Sequence, residues 1–230
     1  MRGYHHQRQV WHMGFTVVFI LSVSALLSWA VNATFTIRNV EVVGSGVRVS
    51  VDPEKMPRNL LFFPVAQVKN ELLHDYPLIA EMNITKKYPG TLVVMATLRS
   101  PKALVGLGSN MYAIDKEGVV LEEYPKKANI PQILIDVPPV LSGKRVTDAR
   151  IVAALLFLLE TEGSIPITRI TPGEGDTLQA TDGVMNILFP QKTDMQAIVR
   201  TLQTMLVGFR IKGRLPTTLD LRLDKPVVTF

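Results

Sequence analysis

The stretch from Gly14 to Val31 (GFTVVFILSVSALLSWAV) constrains this chain more than any other, because it is uncharged and no Asp, Glu, Lys or Arg occurs from Gln9 through Ile37. As an α-helix it would reach about 27 Å at 1.5 Å per residue, close to the hydrocarbon thickness of a bilayer. Trp11 and Trp29 lie near its two ends, where amphipathic rings favour the headgroup level. The stretch reads as a transmembrane helix over residues 14–33. A cleaved signal peptide is the rival, since Ala30 and Ala33 offer small residues at cleavage spacing behind Arg2 and Arg8. The apolar run exceeds the usual length of a signal core, which favours an uncleaved anchor.

Orientation rests on less. Arg2 and Arg8 on one side balance Arg38 and Arg48 on the other, so a count of flanking cations is a tie. The amino terminus with His5, His6 and His12 tips it towards a cytoplasmic tail over 1–13, with the long polar remainder exported. Long domains translocate largely regardless of charge, so nothing opposes this.

The 230 residues carry a net charge of +5, and their longest basic runs are pairs such as Lys86-Lys87, Lys126-Lys127 and Lys144-Arg145. Nucleic-acid binding needs a concentrated basic face and is excluded. The absence of cysteine removes disulfides, thiolate nucleophiles and thiolate-bound metals together. An exported chain without cysteine points to a bacterial source, and the Asn83-Ile84-Thr85 sequon inside a strand is then accidental.

Beyond the span, Phe35 to Gly44 looks extended, with a change of apolar phase between Ile37 and Val40 that marks where the first strand begins. Val47 to Val51 resumes the alternation. Leu61, Val65, Val68 and Leu72 form one helical stripe behind Pro64. Ala80, Met82 and Ile84 alternate with polar residues as a strand, Tyr88-Pro89-Gly90 turns, and Thr91 to Leu98 returns. The pieces from 34 to 100 describe a small sheet with helical cover on one face.

Short strands then follow at 103–107, 111–114, 119–121 and 133–135, in the manner of a meander. Thr147 to Glu162 is a helix with Thr147 at its N-cap and nine consecutive apolar residues, Ile151 to Leu159. That run is too short to cross a bilayer and predicts a buried helix. Strands are expected at 167–170, 177–180 and 184–189. Thr193 with Gln196 has the form of a capping box before a helix whose stripe is Ile198, Leu202, Met205 and Leu206, closed by Gly208. At the end, Leu219, Leu221 and Leu223 face one way and Asp220, Arg222 and Asp224 the other. Pro226 cannot donate to a ladder, so this end runs along a sheet edge.

Material for catalysis is scarce. His74 is the single histidine outside the N-terminal tail, and no carboxylate pair stands out for acid–base work. Gly106-Leu107-Gly108-Ser109 lacks the lysine of a phosphate loop, and Gly173-Glu174-Gly175-Asp176 lacks calcium-loop spacing. The tail histidines are a polar tail rather than a metal site. The sequence therefore implies no enzyme, no cofactor, no metal and no small-molecule substrate. The C-terminal edge remains, where Val227, Val228 and Phe230 are β-prone and carry no charge to discourage pairing. Either they complete the domain's own sheet, or a partner strand pairs with them by β-augmentation.

The order of these pieces resembles the FtsQ/DivIB family of bacterial cell-division proteins. Phe35 to Gly44 (FTIRNVEVVG) resembles the opening of that family's POTRA domain. Tyr88 to Val94 (YPGTLVV), followed by Arg99-Ser100-Pro101-Lys102-Ala103, is similar to its hairpin and Glu-Arg-x-Pro junction, with Leu98 in place of the Glu. Tyr112 to Gly118 (YAIDKEG) looks like its next motif. Leu219 to Val228 (LDLRLDKPVV) resembles its closing motif, with Leu223 where an aromatic is common.

The resemblance implies an α+β protein: one N-terminal transmembrane helix, a POTRA domain over 34–100, and a mainly antiparallel β domain with two or more helices over 101–230. It implies a non-enzymatic scaffold of the division machinery, in the inner membrane at the septum, binding FtsB/DivIC-like and FtsL-like subunits. By the same likeness Arg222 pairs with a partner carboxylate, while Leu223, Lys225, Val227, Thr229 and Phe230 occupy the adjoining edge. A POTRA-type client-binding or assembly factor of the envelope is the alternative. So is an enzyme or wall-binding protein released by cleavage after Ala30 or Ala33.

Overall fold

The computed structural model describes residues 4–44, 57–108, 110–121, 130–136, 138, 141–223 and 225–230. The strand expected at 47–51 lies outside them. The fold is mixed α+β, with two compact units, Met1–Leu98 and Arg99–Phe230.

The first unit begins with helix α1, Tyr4–Thr34. Its segment Phe15–Thr34 is long and apolar enough to cross a membrane, and none of it is buried by the protein. The helix runs into the small sheet with no slack. The Phe35 amide donates back to the Val31 carbonyl at 3.0 Å, Leu60 N donates to Phe35 O at 2.7 Å and Ile37 N to Arg58 O at 2.8 Å. Asn59 Nδ2 donates to Asn32 Oδ1 at 2.7 Å. Strand β1 follows at Asn39–Val43, then α2 at Val65–Asp75, β2 at Ile79–Lys87 and β3 at Thr91–Leu98. In the sheet β3 is central, parallel to β1 and antiparallel to β2. Val68 and Leu72 of α2 press on Met82, Ile84, Leu92, Val94 and Ala96, with Leu60 and Phe63 completing the core.

Two expectations are corrected here. Leu61 precedes the helix and is exposed, because the turn before Pro64 carries it away from the stripe. Ala80 is exposed and Ile79 is buried in its stead. The register slips between Ile79 and Glu81, and one extra residue moves a side chain to the other face. Gly90 has a steric reason: its carbonyl accepts from Arg38 N at 2.8 Å, and a Cβ there would stand 2.8 Å from the Thr36 carbonyl oxygen.

Among the described residues, the second unit holds a nine-stranded sheet. Its strands are β4 Ala103–Leu107, β5 Asn110–Ile114, β6 Val120–Leu121, β7 Gln132–Ile133, β8 Arg169–Pro172, β9 Thr177–Thr181, β10 Asn186–Pro190, β11 Thr218–Asp220 and β12 Val227–Thr229. The order across the sheet is β12-β11-β10-β9-β8-β7-β4-β5-β6. β4, β5 and β6 form the expected antiparallel meander, but β7 does not continue it; it returns to lie parallel beside β4. Helix α3, Ala149–Thr161, connects parallel β7 and β8, and α4, Met195–Ile211, connects parallel β10 and β11. Parallel neighbours cannot be joined by a tight turn, so each needs such a crossover.

One core lies between the sheet and these helices. Phe157 of α3 stacks on Phe189 of β10 with ring centroids 4.1 Å apart, and both rings are fully buried. The helix caps sit one residue later than expected. Asp148, not Thr147, accepts from Arg150 N, and Asp194, not Thr193, accepts from Gln196 N and Ala197 N. A carboxylate is the stronger acceptor for these amides at the positive end of a helix. α4 also runs through Gly208 to Ile211, with Gly213 at φ +64° just beyond it. Nor is α3 buried all round. Val152 and Leu156, one turn apart, are exposed on its outer side, while Ile151, Leu155 and Phe157 face the core.

Candidate functional site

The C-terminal edge is built by the β10-α4-β11 crossover. Leu219 and Leu221 are 0% and 3% exposed, and they anchor the end of β11 in the core beside Ile187 and Phe189. The Leu221 amide donates to Leu188 O at 2.8 Å. The chain then turns and returns as β12, antiparallel to β11, with Asp220 opposite Val227 and Thr218 opposite Thr229. β12 is the terminal strand of the sheet, so among the described residues no strand of this chain pairs with its outer side.

Arg222 sits in that turn. Its Nε donates to Asp220 Oδ1 at 2.8 Å and its Nη2 to Asp220 Oδ2 at 2.5 Å, while its backbone amide donates to Oδ1 at 3.0 Å. These bonds hold the Asp220 carboxyl below the usual carboxylate range, against the opposing effect of its partial burial. The same bonds, with the Coulomb attraction, raise Arg222 above its ordinary value. A two-point carboxylate–guanidinium contact fixes the plane of the fork, so Arg222 stands preorganised at the turn.

Leu223 is 61% exposed, whereas Leu219 and Leu221, with which the sequence alternation grouped it on one face, are buried. The ladder ends at Asp220, so the period-2 alternation stops applying beyond it. Leu221, Arg222, Leu223 and Pro226 line one side of a groove of about 260 Å³ whose other side is Pro190, Ala197, Ile198 and Thr201. Asp224 lies outside the described residues. Lys225 is exposed in the turn.

Along β12, Val227 and Thr229 are exposed while Val228 packs on the core. Thr217 N donates to Thr229 O at 2.9 Å. Phe230 is half exposed but not loose. Its ring meets Phe209 of α4 edge-on at 5.8 Å, and the Arg214 guanidinium lies over the ring, 4.3 Å from its centroid. The six residues singled out from the sequence thus fall in three places: Arg222, Leu223 and Lys225 in the turn, Val227 and Thr229 on the edge strand, and Phe230 against the end of α4. Sequence reasoning missed Phe209 and Arg214 as the seat of Phe230. It also took Ile198 for core alone, whereas it also walls the groove.

The motifs around the start of the second unit serve a different purpose. Arg99 Nη1 donates to Asp115 at 2.5 Å and to Glu117 at 2.9 Å, and Arg145 Nη2 reaches Glu117 at 3.3 Å. Asp115 is 2% exposed, and its Oδ1 accepts from the amides of Glu117 and Val119. The turn closes at Gly118, where φ is +77°. Burial works to lower the Arg99 pKa, but the bonds to Asp115 and Glu117 prevail and raise it. This cluster clamps the head of the unit to the β5–β6 turn. Its carboxylates are spent on backbone amides and cations. The loop at 173–176 is a solvated hairpin, with Lys192 Nζ 3.3 Å from Asp176.

No protein-family model matches the chain. Among curated proteins it is similar to the cell division protein DivIB of Clostridium acetobutylicum, 25% identical over 138 residues that make up 58% of this chain and 55% of that protein. The chain therefore spans about half the length of the relative it matches. Taken with the mixed α+β fold and the apolar N-terminal helix, the likeness supports membership of the FtsQ/DivIB family of cell-division proteins.

Proposed function

We propose that this protein is a non-catalytic scaffold of the bacterial division machinery, held in the inner membrane at the septum by α1. Its N-terminus is cytoplasmic, residues 34–100 are a POTRA domain and residues 101–230 an FtsQ-type β domain on the outer side. It captures an extended segment of an FtsB/DivIC-like subunit along β12, with an FtsL-like subunit in the same assembly. The observation that carries this reading is the position of β12, a short terminal strand beside a groove and a preorganised arginine.

The chemistry is simple. An added strand gains main-chain hydrogen bonds on the outer side of β12, which supply affinity with little demand on sequence. Val227 and Thr229 share one exposed face and meet the alternate side chains of the guest. Arg222 uses Nε and Nη2 on Asp220 and offers Nη1 to a guest carboxylate, which sets the register. Leu223 and Ile198 receive an apolar side chain in the groove. Nothing in this scheme requires a bond to be made or broken.

The test is co-purification of the full chain, in detergent, with FtsB/DivIC-like and FtsL-like partners. Arg222→Glu, with circular dichroism to confirm folding, is expected to weaken capture about tenfold or more, the worth of a charge-assisted hydrogen bond replaced by repulsion. Equal capture by a folded Arg222→Glu protein would move the site away from this edge. Failure of the unaltered chain to bind either subunit would sink the scaffold reading itself.

A further inference from the structure

A second surface, at the base of the first unit, collects apolar and basic side chains at the end of α1. Phe62 is 73% exposed, Tyr88 53% and Leu61 40%. They belong to two segments, 57–62 and 86–91, that flank the C-terminal end of α1. The segments 32–39, 57–62 and 86–91 contain Arg38, Arg58, Lys86 and Lys87 and not one Asp or Glu. Three large apolar groups among four cations are unusual on a surface that faces only water.

The position of this surface is fixed by hydrogen bonds. Asn59 Nδ2 donates to Asn32 Oδ1, and Asn32 lies inside the apolar segment Phe15–Thr34. Asn59 Oδ1 accepts from Leu61 N at 2.9 Å, which shapes the loop. On its other flank Lys86 Nζ donates to Leu61 O at 3.0 Å. Tyr88 meets Phe35 edge-on at 5.8 Å, immediately after the helix. Phe62 is three residues from Asn59, so a fully stretched chain would separate those two residues by about 11 Å at most. The headgroup zone on each side of a bilayer is about 5–8 Å deep, so a loop tied to the helix end is held near that level.

We infer that this base rests on the membrane that α1 spans. Leu61, Phe62 and Tyr88 enter the interfacial zone, and Arg58 and Lys87 meet the phosphates of anionic lipids. The inference rests on reading α1 as a spanning helix. Aromatic rings prefer the interface, and cations at that level are drawn to anionic headgroups. A lipid surface is the occupant favoured because the patch is continuous with the span and carries cations alone. A protein guest would have to enter between the loop and the bilayer.

The chain has no cysteine, so one introduced thiol reports one position. The full chain bearing Leu21→Cys, Phe62→Cys or Glu81→Cys is nitroxide-labelled and reconstituted in phosphatidylcholine vesicles with a quarter phosphatidylglycerol. The label is itself apolar and stands in for the phenyl ring at 62. Glu81 is exposed and five residues up β2 from Lys86, about 16 Å away. Access to oxygen should exceed access to a water-soluble nickel chelate several-fold at 21 and at 62, and the ratio should reverse at 81. Adding Arg58→Gln and Lys87→Gln, or omitting phosphatidylglycerol, should shift 62 towards the value at 81 and leave 21 unchanged. If 62 matches 81 while 21 stays in the bilayer, the lipid-resting surface is overturned alone. If 21 is itself open to the chelate, the spanning reading falls and takes this surface with it. Indifference of 62 to both the cations and the anionic lipid would overturn the role of the headgroups.

Discussion

Asp220 does two things at once: it shapes the turn after β11 by accepting from the Arg222 amide, and it orients the guanidinium at the candidate edge. Because Arg222 holds its carboxyl below the unfolded value, the pair contributes stability that is fully present above that unfolded value, about 3.9. The contribution is lost as pH falls through the folded value beneath it. Asp148, held down by Arg150 at the start of α3, acts in the same direction. Urea-unfolding midpoints should thus be insensitive to these groups above about pH 5 and decline below about pH 4. Asp220→Asn should flatten that decline, and its difference from the unaltered chain should shrink with falling pH. A difference that grows in acid would contradict the assignment. The same variant frees Arg222, so its effect on partner capture separates preorganisation from charge.

At the scale of elements, the edge depends on the helices that carry its strands into place. β11 reaches its place beside β10 only through α4, and α4 packs beside α3 over the Phe157–Phe189 stack. Phe157→Ala should cost about 3–5 kcal/mol, through lost transfer energy and the cavity left behind. Amide hydrogen exchange should then quicken across β8 to β11; protection unchanged there would show that the stack is not central to this core. Most of these elements could be read from the sequence, because a run such as Met82 to Ile84 or Leu202 to Leu206 carries its period openly. What could not be read depended on distant partners. The return of β7 to β4 is a pairing of non-neighbouring segments, which no local period encodes. The slip at Ile79 reversed Ala80, and the end of the ladder at Asp220 turned Leu223 outward. Asp148 and Asp194 took the caps because a neighbouring carboxylate outcompetes a hydroxyl. As to the site, the edge was legible from Pro226 and the β-prone residues after it. The groove was not, since Ile198 and Leu223 meet only in space.

For the whole molecule, two of the motifs that suggested a family hold structure. Arg99 with Asp115 and Glu117 clamps one unit's head, and Gly90 lets two backbones approach in the other. Such devices report the fold more directly than they report a partner. The junction at Asn32, Phe35, Asn59 and Leu60 has a mechanical consequence as well. A spanning helix responds to a thicker or thinner bilayer chiefly by changing its tilt. With no linker to absorb the rotation, the three-stranded sheet must swing with it, like a flag fixed to its pole. In vesicles of increasing acyl length, polarised infrared spectra should show the strand and helix axes reorienting together; a helix that tilts while the strands keep their angle would reveal a hinge at Thr34. The small domain would then read the thickness of its membrane as an angle.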